Sequence, residues 1–572
     1  MAKEVNLKEQ ASIQARLIAF VTLAVTVGFW SQGTDPFNLP KLVILVVGVA
    51  ALIASNLMSI IKFWLSPRVK VEHIAILLFI LALLNSFLFS GAPKLQMFFG
   101  TFARNTGMLT HLSLVGIFYF ALHLQRRADF EKILKYFLIA FVLVVTVSAV
   151  EISGFNIQKV NLIFKGSLIG TFGNPNFISA YMGMCGTVLF TLFLGWKLPA
   201  LKRVFLGAAF IVAALLIVRS NSRQGLVVLV GGCALIGFFY LILHLKKKVL
   251  SFSYLVLLGI VSLFSLAGVL NQGPLADLIY KSSIGFRGEY WKAGIAMFWE
   301  KPLTGVGLNS YGDWYRTLRS DSALISPGPE VFTNTAHNVY IDYAATGGLP
   351  LVLAFLFIVL LTIKSAIRFV KRRQYFDPLF FAFLGAWVVY LVQALISIDQ
   401  IGLSIWGWVL GGLIIAYEKF DSNNDEAYSK KNTDTGRKFK ESELIPASTL
   451  LSIIAGGLIG LGIIFPLYKS DLDARKAYDS TSAELLIEAA NQWPTNTYKS
   501  ANIAGLLLNN NLKPQSLDIA NRGLAENPRS FDLWKLIYLN DNAPVEQRKL
   551  ALSKMKELDP KNPSVIAGVV KE

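Results

Sequence analysis

The chain has 572 residues, of which 54% are hydrophobic and 16% are charged, and its formal net charge at pH 7 is +18. Its mean hydropathy of +0.53 excludes a soluble globular protein, because apolar runs of about 18 or more residues recur from end to end. The basic residues cluster at the ends of these runs, where anionic lipid headgroups would meet them. This placement predicts a membrane as the partner and argues against nucleic acid.

The apolar runs predict about thirteen membrane-spanning helices. In chain order they lie near residues 16–31, 40–61, 72–90, 107–124, 134–153, 177–196, 203–219, 225–244, 252–270, 347–369, 379–397, 402–418 and 447–467. The first is not expected to be a cleavable signal peptide, because no small-residue cleavage site follows it. The two cysteines, Cys185 and Cys233, both fall within spans, so neither a disulfide framework nor a zinc site is predicted.

The orientation of the spans follows from the bias of lysine and arginine in the short connecting segments. The basic segments alternate along the chain, at residues 68–70, 126–135, 197–203, 246–248, 371–373 and 430–440. All of them lie on one side if the N-terminus is cytoplasmic. The opposite side then receives residues 271–346, here called the external loop, and everything after residue 468.

Four parts are predicted from this topology. Residues 1–418 form a polytopic membrane core that includes the external loop. Residues 419–446 are polar and highly charged and are expected to be a mobile cytoplasmic linker. One further span at 447–467 then carries the chain across the membrane to an exported tail, residues 468–572.

The exported tail carries a weak sequence period. Pro494, Pro528 and Pro563 recur at spacings of roughly 34 residues, which is the tetratricopeptide period, and apolar helical patterns precede them. We therefore expect a small tetratricopeptide-like helical domain, with an unrelated short helical bundle as the alternative. In either case the tail is predicted to dock a protein partner rather than to catalyse a reaction.

Arginines in external segments are the first candidates for chemistry. The turn RSNSRQG places Arg219 and Arg223 where the positive-inside bias disfavours them, and guanidinium groups match phosphate oxygens well. The alternative is that they reach external lipid headgroups. Arg287 precedes YWKAGIAMFW, which predicts an amphipathic helix on the external membrane surface, although a single loop arginine is usually just solvated.

Asparagines and a histidine complete the candidates. Asn174 and Asn176 lie in GTFGNPN, where they can bind sugar hydroxyls or simply cap the following helix. His337 is the one histidine of five placed in a sizeable aqueous loop, and imidazole exchanges protons near neutral pH. It is followed by Asn338 and heads a predicted span, so it is a catalytic candidate, although an isolated loop histidine is more often an ordinary surface residue.

In order, these motifs form a series that resembles a known family. SRQG, then R-x-x-x-W with the turn PLTGVGL, then AHN-x-Y ahead of GGLP is similar to the O-antigen ligase-related superfamily of membrane glycosyltransferases. GTFGNPN and the early DPFNLPK fit the same series. The resemblance covers essentially residues 20 to 418. It implies an all-α, polytopic, GT-C-like core, to which this chain adds the small exported helical-repeat domain predicted above.

The resemblance also implies a function. Members join a glycan from an undecaprenyl-pyrophosphate carrier to an acceptor hydroxyl outside the membrane, without a nucleotide sugar. Arg223 and Arg287 would hold the pyrophosphate, with Arg219, Asn174, Asn176 and Asn338 as further substrate ligands. His337 would act as general base or would orient the acceptor hydroxyl.

No cofactor or metal is expected, because fixed arginines can meet the charge of the leaving pyrophosphate and the external loop carries no Asp-x-Asp motif. Direct displacement would invert the anomeric centre. The acceptor stays open between lipid, protein and polysaccharide, because the added span and tail depart from a plain ligase. The alternatives are therefore a polymerase or an O-linked protein oligosaccharyltransferase. A transporter or flippase is a different class, and the scarcity of acids within the spans argues against it.

Overall fold

The computed structural model describes residues 2–66, 70–158, 166–195, 197–280, 282–430, 445–480 and 482–570. Within those residues every regular element is a helix and there is no strand. Ten helices are long and apolar enough to cross a membrane, and three shorter apolar helices lie at 13–27, 108–122 and 378–394. Each predicted span coincides with one of these thirteen helices, and the prediction of an all-α polytopic membrane protein is confirmed.

The membrane part contains the first eighteen helices. They are α1 (Ala2–Val27), α2 (Asn38–Trp64), α3 (Val71–Phe89), α4 (Lys94–Phe99), α5 (Met108–Leu122), α6 (Arg127–Ile152), α7 (Pro175–Gly195), α8 (Ala200–Arg219), α9 (Arg223–Phe239, continued by a π-helical turn Tyr240–His244), α10 (Lys248–Val269), α11 (Ala276–Ile279), α12 (Ser282–Glu300), α13 (Tyr311–Leu318), α14 (Ser322–Ile325), α15 (Val339–Arg373), α16 (Pro378–Ala394), α17 (Ile401–Lys430) and α18 (Ala447–Ser480). The tail continues with α19 (Ala483–Asn491), α20 (Thr497–Asn509), α21 (Lys513–Glu526), α22 (Phe531–Leu539), α23 (Val545–Leu558) and α24 (Pro563–Ile566).

The DPFNLPK segment connects α1 to α2 through two side chains that cap helix ends. The carboxylate of Asp35 accepts hydrogen bonds from the first backbone N–H groups of α2, at Phe37, Asn38 and Leu39, over 3.1, 2.9 and 3.0 Å. These N–H groups have no partner inside the helix, so the carboxylate satisfies them. The motif is therefore first of all a structural turn.

Lys41 closes the other side of the same connection. Its ammonium group is fully buried and donates to the carbonyl oxygens of Val25, Thr26 and Gly28, at 3.0, 3.2 and 2.7 Å. A cation at the C-terminal end of a helix is favoured by the helix dipole as well as by these hydrogen bonds. The lysine of the motif thus caps α1, just as the aspartate caps α2.

The external loop packs closely against α15, and the backbones of the PLTGVGL turn and of the start of α15 are in contact. Within α15 the helix is broken at Gly348, which has φ +70°, and Pro350 follows it. A proline cannot donate the hydrogen bond that Thr346 would accept, so the carbonyl oxygen of Thr346 accepts instead from the Ser86 hydroxyl at 2.8 Å and the Gly307 N–H at 3.1 Å. The turn PLTGVGL is thereby held against the start of α15.

The helix α18 packs against α2 through small residues. A Cβ atom at Gly456 or Gly460 would lie within 3.0 Å of α2 backbone atoms. Small residues let two membrane helices approach this closely, and dispersion contacts then hold them together. Because α18 runs on to Ser480, beyond the predicted span, it carries the tail away from the membrane as one continuous helix.

The tail consists of paired antiparallel helices, with α20 packed on α21 and α22 on α23. Helix pairs are what the repeat pattern predicts, while the tetratricopeptide assignment itself stays a prediction. One difference concerns the linker. Helix α17 extends to Lys430, so the first residues of the segment expected to be mobile are helical, since no proline interrupts residues 401–430. Residues 431–444 of that linker lie outside the described residues.

Candidate functional site

His337 lies in a short turn that the start of α15 holds in place. The side chain of Asn338 caps the helix, and its Oδ1 accepts from the N–H groups of Tyr340 and Ile341 at 3.0 and 3.1 Å. The N–H of Ala336, on the other side of the histidine, donates to the carboxylate of Asp342 at 2.7 Å. His337 itself adopts φ +54°, a conformation that non-glycine residues rarely occupy. Strain of this kind is typical of functional turns.

The surroundings of His337 define its tautomer. Its Nδ1 lies 3.2 Å from the Thr335 hydroxyl and 3.4 Å from the Thr335 carbonyl oxygen. Because a carbonyl oxygen can only accept, Nδ1 carries the proton and Nε2 presents a lone pair. The ring packs against Tyr290 with the centroids 5.3 Å apart. The histidine is thus held as an acceptor of one further proton.

Two arginines lie close enough to His337 to act on its charge. Burial, together with the positive charges of Arg104 and Arg287, lowers the pKa of His337 to about 4. Arg287 projects from α12, which begins at Ser282 and therefore starts earlier than the predicted helix, which Arg287 was expected to precede. Both guanidinium groups are themselves largely buried. A pair of desolvated cations beside a neutral imidazole is an arrangement suited to a polyanion.

Sequence analysis missed Arg104. It lies in the segment between α4 and α5, which the predicted topology places on the same side as Arg287, within the run GTFARNTGML. The signal that singled out Arg219 and Arg223, an arginine on the side where basic residues are disfavoured, applies equally to Arg104. What the sequence does not reveal is that this arginine meets His337, which is 233 positions further along the chain.

A small polar cavity lies beside these groups. Its volume is about 60 Å³, and Arg104, His111, Asp342 and Asp399 contribute ionisable groups to its wall. Asp399, in the segment before α17, accepts hydrogen bonds from Ser404 and from the hydroxyl of Tyr390. His111 was expected only as a residue of a span, and here one face of that span lines the site.

Arg223 is placed differently from Arg287. It begins α9, and its Nη1 donates to the backbone carbonyl oxygen of Tyr280, in the segment that leads into α12. It therefore ties the arginine turn to the helix that carries Arg287. The remaining N–H groups of Arg223 make no hydrogen bond to the described residues. Arg219 ends α8 with an exposed side chain.

The asparagines form the hydrogen bonds expected of turns. Asn174 accepts from the N–H of Asn176 at 2.9 Å, at the start of α7. The Oδ1 of Asn176 accepts from the hydroxyl of Ser222 at 2.8 Å. This bond joins GTFGNPN directly to the SRQG turn, so two motifs distant in sequence meet. Contact of Asn174, Asn176 or Asn338 with a substrate stays a prediction, and the Oδ1 of each already has a protein partner.

The tail docks on the external loop next to this site. The fully buried side chains of Arg319, at the end of α13, and Asp559 form an ion pair of 2.6 Å. The guanidinium of Arg529 lies 3.6 Å from the ring centroid of Trp314, and the Thr317 hydroxyl donates to the tail. The same short helix α13 therefore faces the tail on one side.

On its other side α13 faces the histidine. The hydroxyl of Tyr311 donates to the carbonyl oxygen of Tyr290, and the rings of Tyr290 and Tyr315 lie 5.8 Å apart. Tyr290 in turn packs on His337. A continuous series of contacts thus runs from Asp559 in the tail through α13 to the imidazole.

A family model matches part of this chain. Residues 208–356, about a quarter of the chain, match the family model Wzy_C, described as O-antigen ligase. The matched segment runs from α8 into α15 and contains Arg219, Arg223, Arg287, His337 and Asn338. No curated protein matches the chain.

Proposed function

We propose that this chain, which a family model described as O-antigen ligase matches over residues 208–356, transfers a glycan from an undecaprenyl-pyrophosphate carrier to an acceptor hydroxyl on the external face of the cytoplasmic membrane. The family match supports the coarser statement that it is a membrane transferase of the glycan ligase or polymerase type. The observation that carries the finer proposal is the meeting of His337 with Arg104 and Arg287 in one site.

The arginines are proposed to bind the pyrophosphate of the donor. Arg104 and Arg287 are largely buried, and neither lies in an ion pair with a described carboxylate, so their charge is available to a ligand. Arg223, whose guanidinium has N–H groups to spare, would contact the same pyrophosphate from the SRQG turn. In a largely desolvated site, fixed cations of this kind stabilise the negative charge that develops on a leaving group.

His337 is proposed to take the proton of the acceptor hydroxyl. Because the N–H at Nδ1 is hydrogen-bonded to Thr335, the proton is received by Nε2, which has a free lone pair. The acceptor oxygen forms a bond to the anomeric carbon as the bond from that carbon to the pyrophosphate oxygen breaks. The electron pair leaves with undecaprenyl pyrophosphate, and the configuration at the anomeric carbon is inverted if attack comes from the opposite face.

The binding of the donor would make His337 a stronger base. Arg104 and Arg287 lower its pKa when the site holds no anion. A pyrophosphate bound between these arginines would offset their charge, and the pKa of the imidazole would rise toward its ordinary value. The base would then reach full strength only when the glycan is in place.

Within this class we place ligase first and polymerase or O-linked protein oligosaccharyltransferase second. The residues of the site act on a hydroxyl and a pyrophosphate, both of which all three reactions share. A transporter or flippase is disfavoured, because the arginines and the histidine gather at one end of the membrane helices rather than along a path through them.

The test is glycan transfer by the purified protein with an undecaprenyl-pyrophosphate glycan and separate lipid, protein and polysaccharide acceptors. His337→Ala, Arg287→Ala and Arg223→Ala are each expected to abolish transfer while the protein still folds and inserts. Lys292→Ala is the matched control, since Lys292 is exposed on the same helix as Arg287 and pairs with Glu289. Normal transfer by all three site variants would overturn the proposal.

A further inference from the structure

A second cavity lies at the opposite end of the membrane helices. Helix α3 meets the external site through Ser86, and α5 lines it through His111. The cavity is lined by His73 in α3 and by His123, the residue that follows α5; they lie 13 and 12 residues from Ser86 and His111, or roughly 20 Å along each axis. Its volume is about 430 Å³. It therefore lies at the end where the predicted topology places the cytoplasmic lipid headgroups.

The two histidines define each other's protonation. His123 Nδ1 lies 2.7 Å from the carbonyl oxygen of Tyr119, so it carries a proton and donates. A neutral His123 then has only a lone pair on Nε2, and His73 Nε2, at 3.2 Å, must donate to it. In a neutral His73 this leaves Nδ1 as an acceptor. That Nδ1 is buried and has no hydrogen-bond partner among the described residues, although His73 lines the cavity.

An unpartnered buried nitrogen is costly, so it calls for a ligand that donates to it. The charges around the cavity call for an anion. Lys70 and Lys419 both line it. Lys419 is paired with Glu72 at 2.8 Å, whereas Lys70 is exposed and has no ion-pair partner among the described residues. One net positive charge thus lines the cavity, and its wall includes a histidine with one unpartnered acceptor nitrogen.

Apart from Gln125, the rest of the wall is apolar and aromatic. Phe63 packs on His73 with the ring centroids 4.2 Å apart, and Phe420 and Leu124 also line the cavity. A free phosphate ion would satisfy the lysine, and its P–OH group could donate to His73 Nδ1, but it would leave this apolar surface without a partner. The wall suits the region of a lipid where a polar headgroup meets the glycerol backbone.

We propose that this cavity binds an anionic glycerophospholipid whose headgroup carries a free hydroxyl, as in phosphatidylglycerol. The phosphodiester would lie against Lys70, and a headgroup hydroxyl would donate to His73 Nδ1. Basic cavities between membrane helices on the cytoplasmic side are a recurrent form of lipid site. The site is separate from the one that holds His337, and nothing in the proposed transfer reaction requires it.

The test uses the full-length protein in nanodiscs of phosphatidylcholine with a minor fraction of a labelled anionic lipid, and native mass spectrometry counts the lipid retained after release into detergent. Phosphatidylglycerol is expected to be retained in preference to phosphatidylmethanol, which has the same charge and no headgroup hydroxyl. Equal retention of the two lipids, or retention of neither, would overturn the proposal without any variant being needed.

Variants then locate the site. Lys70→Gln is expected to lower phosphatidylglycerol retention about fivefold, the effect of one lysine near an anionic headgroup. His73→Phe keeps the contact with Phe63 and should remove the preference over phosphatidylmethanol. Lys371→Gln, at an exposed lysine at the end of α15, should change neither the retention nor the preference.

A competition experiment separates a lipid from a soluble ligand. Soluble glycerol 1-phosphate that displaces the lipid at equal concentration would show that the headgroup alone is the ligand and would refute a lipid site. Glycan transfer is not measured, so the outcome is independent of the proposed function.

Discussion

At the level of single residues, His337 combines a strained backbone with a depressed pKa. The strain at φ +54° persists because Asn338 and Asp342 hold the backbone on both sides. The depressed pKa follows from burial beside two guanidinium groups. At neutral pH the ring therefore carries no charge and its Nε2 can accept a proton.

The lowered pKa of His337 predicts how transfer depends on pH. In the proposed mechanism activity requires the neutral ring, so it should be lost as the pH falls through the pKa of His337. In the free enzyme that pKa is about 4, and kcat/KM should keep its acid limb near this value. The limb of kcat, which reports the donor-bound enzyme, should lie at higher pH because bound pyrophosphate offsets the arginines. Measurement of both profiles checks this, and coincident limbs would contradict it.

Arg104 provides a second prediction for a single residue. Arg104→Ala is expected to lower kcat/KM for transfer by about a hundredfold, since a charge-assisted contact to an anion in a desolvated site contributes about 3 kcal/mol. The acid limb of kcat/KM should also move to higher pH, because one of the two cations that depress the pKa of His337 is gone. If Arg104 only supported the fold, its removal would lower activity without shifting the acid limb of the kcat/KM profile. Arg219→Ala, at the exposed end of α8, is the comparison expected to show a smaller loss.

At the level of elements, the site depends on the contact between the PLTGVGL turn and the break in α15. Gly348 has φ +70°, and a Cβ atom there would lie 2.7 Å from the Pro302 carbonyl oxygen. Gly348→Ala is expected to destabilise the protein by about 1–3 kcal/mol or more, since both backbone and space oppose it. Thermal unfolding in detergent measures this. Gly231→Ala, with no neighbour within 4 Å, should leave the unfolding temperature unchanged or slightly raised.

The docking of the tail on α13 depends on a buried ion pair. Asp559→Asn would leave the guanidinium of Arg319 buried without its countercharge, at a cost of about 3–5 kcal/mol. The tail should then become sensitive to limited proteolysis. The exposed pair of Lys554 and Glu557 offers a matched control, for which Glu557→Gln should cost less than about 1 kcal/mol. Equal protease resistance of Asp559→Asn and the control would show that the ion pair does not hold the tail.

At the level of the whole molecule, the tail packs against the external loop of the membrane core, next to the candidate site. Because α13 lies between the tail and Tyr290, removal of residues 468–572 should loosen the packing on His337 and lower transfer at least roughly tenfold, the effect of about 1.4 kcal/mol in the transition state. Cleavage at a protease site inserted within residues 431–444 is the control. It breaks the chain but leaves α18 packed on α2, so transfer should persist.

Most of the architecture was predictable from the sequence, and so was part of the site. Apolar runs of membrane length predict the thirteen helices, and the alternation of basic segments predicts their orientation, because both signals are local. His337, Arg223 and Arg287 were identifiable as unusual residues for their positions. Asn174 was predicted either to bind substrate or to form a turn, and Asn338 only to bind substrate; the hydrogen bonds show a turn role for Asn174 and a helix cap for Asn338.

The sequence by itself therefore determined the all-α polytopic class of the protein, the positions of its thirteen apolar helices and most of the candidate site residues. Only the tertiary structure decided which of those residues meet. Arg104 lies beside His337, Asn176 binds Ser222, and Asp559 pairs with Arg319, and each pair is joined across many intervening residues. Hydrophobicity and charge bias record how each segment meets the membrane, whereas contacts between distant segments depend on how the helices pack against one another, which no local pattern contains.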